Sequence, residues 1–79
     1  MSDVAVIAAI AAELEMAPAD LRLDGRFAED YAADSLDFVR LVMAVEEAAG
    51  VKIEDKLAVQ ARTVGALIDL VRNSPPAET

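Results

Sequence analysis

Asp34-Ser35-Leu36-Asp37-Phe38-Val39-Arg40-Leu41-Val42-Met43-Ala44-Val45-Glu46-Glu47-Ala48-Ala49-Gly50 is the stretch on which the fold turns. Asp34 is a favourable N-cap, because its carboxylate accepts from a backbone N–H that the first helical turn leaves without a partner. Asp37 follows three residues later, at the position of a capping-box acid. Gly50 closes the run, and glycine readily takes the left-handed backbone that ends helices. At about 100° per residue the helix carries two apolar stripes. Phe38, Leu41, Val42, Val45 and Ala49 form the core face. Leu36, Val39 and Met43 lie opposite, bordered by Arg40, Glu46 and Glu47. One buried stripe suffices in so small a domain, so the second is a candidate docking patch. The alternative is that the chain from Ala17 to Ala33 folds back and covers it.

Outward from this helix, Val4 to Glu15 reads as a first helix capped by Ser2 or Asp3, with Val4, Ile7, Ala11 and Leu14 on its buried face. Ala17-Pro18-Ala19-Asp20 breaks it, since proline removes a backbone donor and its ring meets the preceding turn. A long connection to Ala33 carries Leu21, Leu23, Phe27 and Tyr31, enough apolar groups to tack it to the core. Val51-Lys52-Ile53 reads as an extended link and Glu54 to Ala61 as a short helix. Thr63 caps a last helix with Val64, Leu67, Ile68 and Val71 inward, and Asn73-Ser74-Pro75-Pro76 ends it. The expected fold class is all-α: a small four-helix bundle with one short helix and a long first loop.

Composition narrows what such a bundle can do. The 79 residues hold 56% hydrophobic side chains, fifteen acids, seven bases, and neither His nor Cys, giving a net charge of −8. That charge repels nucleic acid and anionic membrane and favours basic protein surfaces. No apolar run approaches the ~20 residues of a spanning helix. Met1-Ser2-Asp3 lacks a basic leader, so a freestanding, cytoplasmic protein is expected, with no membrane span. Without His or Cys, Ser–His and Cys–His nucleophiles are impossible, and nothing supports a Ser–Lys pair with Lys52 or Lys56. Asp20, Asp24 and Gly25 fall at positions one, five and six of a calcium loop. Arg22 and Tyr31, however, occupy positions three and twelve, where that loop needs ligands, so no metal is expected. Ser35, at the mouth of a strong helix with nothing to activate it, reads as a residue that another enzyme modifies. The chain is not expected to be an enzyme.

Phe27-Ala28-Glu29-Asp30-Tyr31-Ala32-Ala33-Asp34-Ser35-Leu36-Asp37 resembles the acyl carrier protein signature, and Leu41-Val42-Met43-Ala44-Val45-Glu46-Glu47 resembles that family's second helix. Gly50-Val51-Lys52-Ile53 and Thr63-Val64 extend the likeness over nearly the whole chain. The resemblance implies a type II carrier domain over residues 1–73; the Met1 start and short tail favour a freestanding protein, and after the Asn73-Ser74-Pro75-Pro76 stop residues 74–79 read as a disordered tail. It implies 4′-phosphopantetheine joined to Ser35 Oγ through a phosphodiester, taking the charge to about −9. The arm's thiol would carry acyl groups as thioesters for fatty acid, polyketide or specialised lipid biosynthesis. Asp34 would cap the helix and help bind the phosphopantetheinyl transferase or its metal. Leu36, Asp37, Val39, Arg40, Met43, Glu46 and Glu47 would form the surface for acyl-loading, condensing and acyl-transfer enzymes with basic docking patches. Phe27, Val45, Ile53, Ala58, Ala61 and Leu67 would line an acyl pocket, against the plainer reading that they only pack the core. A monomer is expected.

The chain departs from the family pattern at several positions. Arg40 stands where many members have Glu, Ala32 where a glycine is usual, and Ala61 where a bulkier aliphatic is usual. Glu54 replaces a common proline, and Lys56, Leu57 and Val59 fall in a region that is ordinarily acidic. A dedicated carrier with a roomier cavity is the expectation these changes raise. If position 32 requires a positive φ, alanine there costs about 1 kcal/mol. The competing readings are a peptidyl or aminoacyl carrier and, in a different class, an unmodified acidic adaptor that docks through Leu36, Val39 and Met43.

Overall fold

The computed structural model describes residues 3–77. Four α-helices follow in order: α1 (Asp3–Glu13), α2 (Ser35–Ala49), α3 (Asp55–Ala58) and α4 (Val64–Arg72), with a 3-10 turn at Pro18–Asp20 between the first two. Extended backbone meets only at isolated antiparallel bridges, Arg26 with Thr63 and Val51 with Pro76, among the described residues. The all-α bundle with one short helix and a long first loop is therefore the observed architecture. α1 lies chiefly along α2, and α4 touches α1, α2 and α3. Ile10, Leu41, Ile53, Leu67, Val6, Val45, Val64 and Val71 are sealed at the centre, and no polar side chain is buried with them among the described residues. Removing each such side chain from water contributes roughly 1.5–3 kcal/mol before entropy is counted.

The rotation of α1 differs from the sequence reading. Val6, Ile10 and Ala11 are buried, Ile7 and Leu14 are partly buried, and Val4 is 74% exposed. The helix Asp-Val-Ala-Val-Ile-Ala-Ala-Ile-Ala-Ala-Glu is apolar almost all round. Periodicity therefore cannot fix which side turns inward, and packing on α2 decides it. α1 also ends at Glu13, two residues early. Met16 N–H donates to Ala11 O (3.0 Å) and Glu15 N–H to Ala12 O (3.2 Å), with Glu15 at φ 56°. This is a Schellman closure with glutamate in the usual glycine position. Ser2, the alternative cap, lies outside the described residues.

The long loop is tied down by backbone. Phe27 N–H donates to Arg62 O (3.0 Å), Val64 N–H to Gly25 O (3.0 Å) and Gly65 N–H to Leu23 O (2.8 Å). These bonds clip the loop to the start of α4. Within the loop, Arg22 N–H donates to the Tyr31 hydroxyl (3.0 Å), and a side chain at Gly25 would meet the Tyr31 ring. Phe27 drops into the core against Phe38, ring centroids 5.7 Å apart. Held this way, the loop does not cover the outer face of α2.

α3 is a single turn rather than the longer helix expected up to Ala61. The Arg26–Thr63 bridge needs extended chain at Thr63, so the helix must unwind beforehand, and Val59 and Leu57 are left 66% and 42% exposed. At the C-terminal end, Lys52 N–H donates to Pro75 O (3.0 Å) and Ala77 N–H to Gly50 O (2.9 Å), laying 75–77 against the link after α2. An expected tail began at residue 74; its last two residues, 78 and 79, lie outside the described residues. An ion pair between Arg72 and Asp3 joins the end of α4 to the start of α1.

Candidate functional site

Ser35 is the first residue of α2, and both its neighbours in the capping box are engaged. Asp37 N–H donates to Asp34 Oδ1 (2.8 Å), and Asp34 N–H donates back to Asp37 Oδ2 (3.1 Å). Phe38 N–H donates to Asp34 O (2.9 Å). The N–H groups of Ser35 and Leu36 have no partner among the described residues, nor does the Ser35 hydroxyl, which is exposed. Two free donors at the positive end of a fifteen-residue helix suit a phosphate on that hydroxyl. The charge balance fits as well: a phosphodiester oxygen needs such donors in a protein otherwise rich in carboxylates. The described residues at this end of α2 thus fit a phosphate-linked group.

Beside Ser35 runs an open groove of about 450 Å³. Phe27, Phe38, Val39, Val59 and Ala61 supply its apolar walls, with Arg62 and Glu29 at the edge. Of the six expected acyl-pocket residues, only Phe27 and Ala61 line it. Val45, Ile53, Ala58 and Leu67 sit in the packed core, each at most 4% exposed. Phe38 was legible as a wall, being three residues from Ser35 on one helix. Val59 and Arg62 were not. They reach the groove through the early end of α3 and the Arg26–Thr63 bridge, both set by long-range pairing.

The outer stripe of α2 is open. Leu36, Val39 and Met43 are 58%, 52% and 62% exposed. Arg40 and Glu47 are exposed and make no ion pair or side-chain hydrogen bond among the described residues. Glu46 differs from its neighbours: its carboxylate accepts from Ile53 N–H (2.8 Å), with Lys52 Nζ 3.8 Å away, and its side chain is only 20% exposed. Asp37 is spoken for by the cap. Glu47 is thus the one free acid of the three expected on this face.

On the loop that leads to Ser35, Asp30 accepts from Arg26 N–H (2.8 Å) and from its guanidinium (3.2 Å). The Arg26 side-chain bond, then its backbone bond, hold the Asp30 carboxyl below the usual aspartate value, and Asp30 in turn raises the Arg26 guanidinium. Ala32, between this anchor and Ser35, has φ 54°, the left-handed backbone at which glycine is at ease. No helix is long and apolar enough to cross a membrane among the described residues.

Comparison with known proteins agrees with this geometry. The family described as phosphopantetheine attachment site matches residues 4–71. An acyl carrier protein of Thermosynechococcus vestitus is 42% identical over 72 residues, covering 91% of this chain and 89% of the relative. One of a Sulfurovum species is 43% identical over 61 residues, covering 77% and 81%, and one of Chlamydia trachomatis is 40% identical over 67 residues, covering 85% and 87%. With a matching attachment-site domain and relatives at these identities over most of its length, the chain belongs to the acyl carrier protein family, whose cofactor is 4′-phosphopantetheine.

Proposed function

We propose that this chain carries acyl groups on a 4′-phosphopantetheine arm joined to Ser35 Oγ, and hands them between enzymes that dock on the outer face of α2. The observation that supports the position is the Ser35 hydroxyl, exposed and, among the described residues, unpartnered and set at two free backbone donors. When attached, the group supplies a thiol that holds an acyl chain as a thioester, the chemistry a cysteine-free chain lacks. The protein's residues do the rest. Ser35 N–H and Leu36 N–H would hold the phosphate, and the Asp34–Asp37 box keeps the helix wound up to the attachment residue. Phe27, Phe38 and Ala61 offer an apolar wall along which cargo lies, and Val45, Ile53, Ala58 and Leu67 frame the core into which a longer chain would press.

Family membership brings a phosphopantetheinyl transferase and biosynthetic enzymes as partners. Leu36, Val39 and Met43 form the apolar centre of the docking face on this reading, with Arg40 and Glu47 at its rim. The chain acts as a monomeric, cytoplasmic carrier of fatty acid, polyketide or specialised lipid intermediates. Relatives bearing the acyl carrier name favour acyl over peptidyl cargo. Incubation with coenzyme A and a broad-specificity transferase, followed by intact mass, tests the assignment. One phosphopantetheine on the wild type and none on Ser35→Ala is the expected outcome. An unchanged wild-type mass, or a modified Ser35→Ala, refutes it.

A further inference from the structure

We propose that the enzyme that acylates this chain meets the α2 stripe with an apolar patch bearing a carboxylate opposite Arg40 and a cation opposite Glu47. The inference rests on the carrier reading above and concerns which partner the docking face admits. Leu36, Arg40, Met43 and Glu47 follow at i, i+4, i+7 and i+11, which sets them in one line along the helix. Leu36 and Met43 are well exposed, and Arg40 lies between them. Any partner that covers the two apolar side chains must also take water from the guanidinium.

Among the described residues no carboxylate forms an ion pair with that charge. Glu13, Glu15 and Asp37 border the cleft on the α1 side of Arg40, yet none pairs with it, and Asp37 is held in the capping box. Glu46, one turn and a half along, is bound to Ile53 N–H and Lys52. A desolvated cation with no counter-charge is strongly unfavourable, and a basic group opposite it adds repulsion. A carboxylate removes both penalties. Glu47 presents the converse problem seven residues on, about 10 Å along the helix axis. The stripe is therefore bipolar, positive toward Ser35 and negative away from it. A partner with the matching pair docks in one direction only, because turning it end for end brings like charges together at both sites.

Across the groove, Val59 continues the apolar surface, and Arg62, exposed and without an ion pair among the described residues, borders it. Among the described residues, Arg40 and Arg62 thus stand as unpaired cations beside the acids Glu29, Asp34 and Asp37 in a chain that is strongly acidic as a whole. Arg40 is a specificity-determining residue on this account and makes no side-chain bond among the described residues.

The test uses the chain with its arm attached, confirmed by intact mass, as acyl acceptor. The probes are a malonyl-transferring enzyme with a basic docking patch and variants of it with each patch Lys or Arg changed to Glu. Arg40→Glu is expected to raise kcat/KM with the basic enzyme about tenfold, with a Tm no higher than that of the wild type because the change adds to the negative charge. At least one acid-substituted enzyme should then favour the wild-type chain over Arg40→Glu. A change below about twofold for Arg40→Glu with every enzyme overturns the inference, as does an enzyme substitution that helps both chains equally. A wild-type chain that accepts no arm overturns the carrier reading together with it.

Discussion

Among the described residues, two other than glycine sit in left-handed backbone: Glu15 at φ 56° and Ala32 at φ 54°. For an L-residue this conformation costs roughly 1–2 kcal/mol, and glycine avoids it at some cost in unfolded-state entropy. Ala32→Gly and Glu15→Gly are each expected to stabilise the fold by about 1 kcal/mol, read from urea midpoints at constant slope. Gly50, at φ 66°, supplies the mirror case. A Cβ there meets no atom within 4 Å, so Gly50→Ala loses stability through conformation alone, by about 1 kcal/mol. A neutral Ala32→Gly would show that the loop relaxes elsewhere. The position of Ala32 was legible because the surrounding signature calls for glycine. Glu15 was not, since Ala-Ala-Glu-Leu-Glu-Met contains no stop and the Schellman bonds are visible only in three dimensions.

Elements were legible in proportion to how sharply their faces and ends are marked. α2 has its cap, its two stripes and its terminating glycine in sequence, and the structure places all three as read. α1, apolar all round, gave its position but not its rotation, and α3 gave its start but not its length. The role of Glu46 was hidden for a related reason: its partner, Ile53 N–H, lies beyond the helix in a link whose path depends on the C-terminal bridge. Glu46 holds that link onto α2. Glu46→Ala leaves a half-buried donor unsatisfied and is expected to cost about 1–2 kcal/mol, whereas Glu46→Gln keeps an acceptor and should cost less than half of that. Asp37→Ala opens one side of the capping box and is expected to cost about 1 kcal/mol. Thermal unfolding of the three variants distinguishes these cases. Equal losses for Glu46→Ala and Glu46→Gln would mean the charge on Lys52, not the Ile53 bond, is what matters.

At the scale of the whole molecule, fifteen acids against seven bases set the response to salt and pH. The ion pairs are few and exposed, worth little each, while the excess of negative charge acts across a small body. Added salt screens the repulsion more than it weakens the pairs, so the Tm should rise with ionic strength rather than fall. Acid acts through a different group. The Arg26 bonds lower the Asp30 carboxyl from its ordinary value of 3.8, so the folded chain binds that proton less readily than the unfolded one. The stabilisation is therefore fully present above 3.8 and fades as pH falls through that value and then through the lower folded one. The bond fastens the loop that carries Phe27, Ala32 and Ser35, so its loss loosens the approach to the attachment residue before the helices themselves melt. Asp30→Asn cannot make the charged bond at any pH. The Tm gap between wild type and Asp30→Asn should hold steady above about pH 5 and close as the solution is acidified further. A gap that stays constant down to the acid limit would show that the neutral hydrogen bonds, and not the Asp30 charge, hold the loop in place.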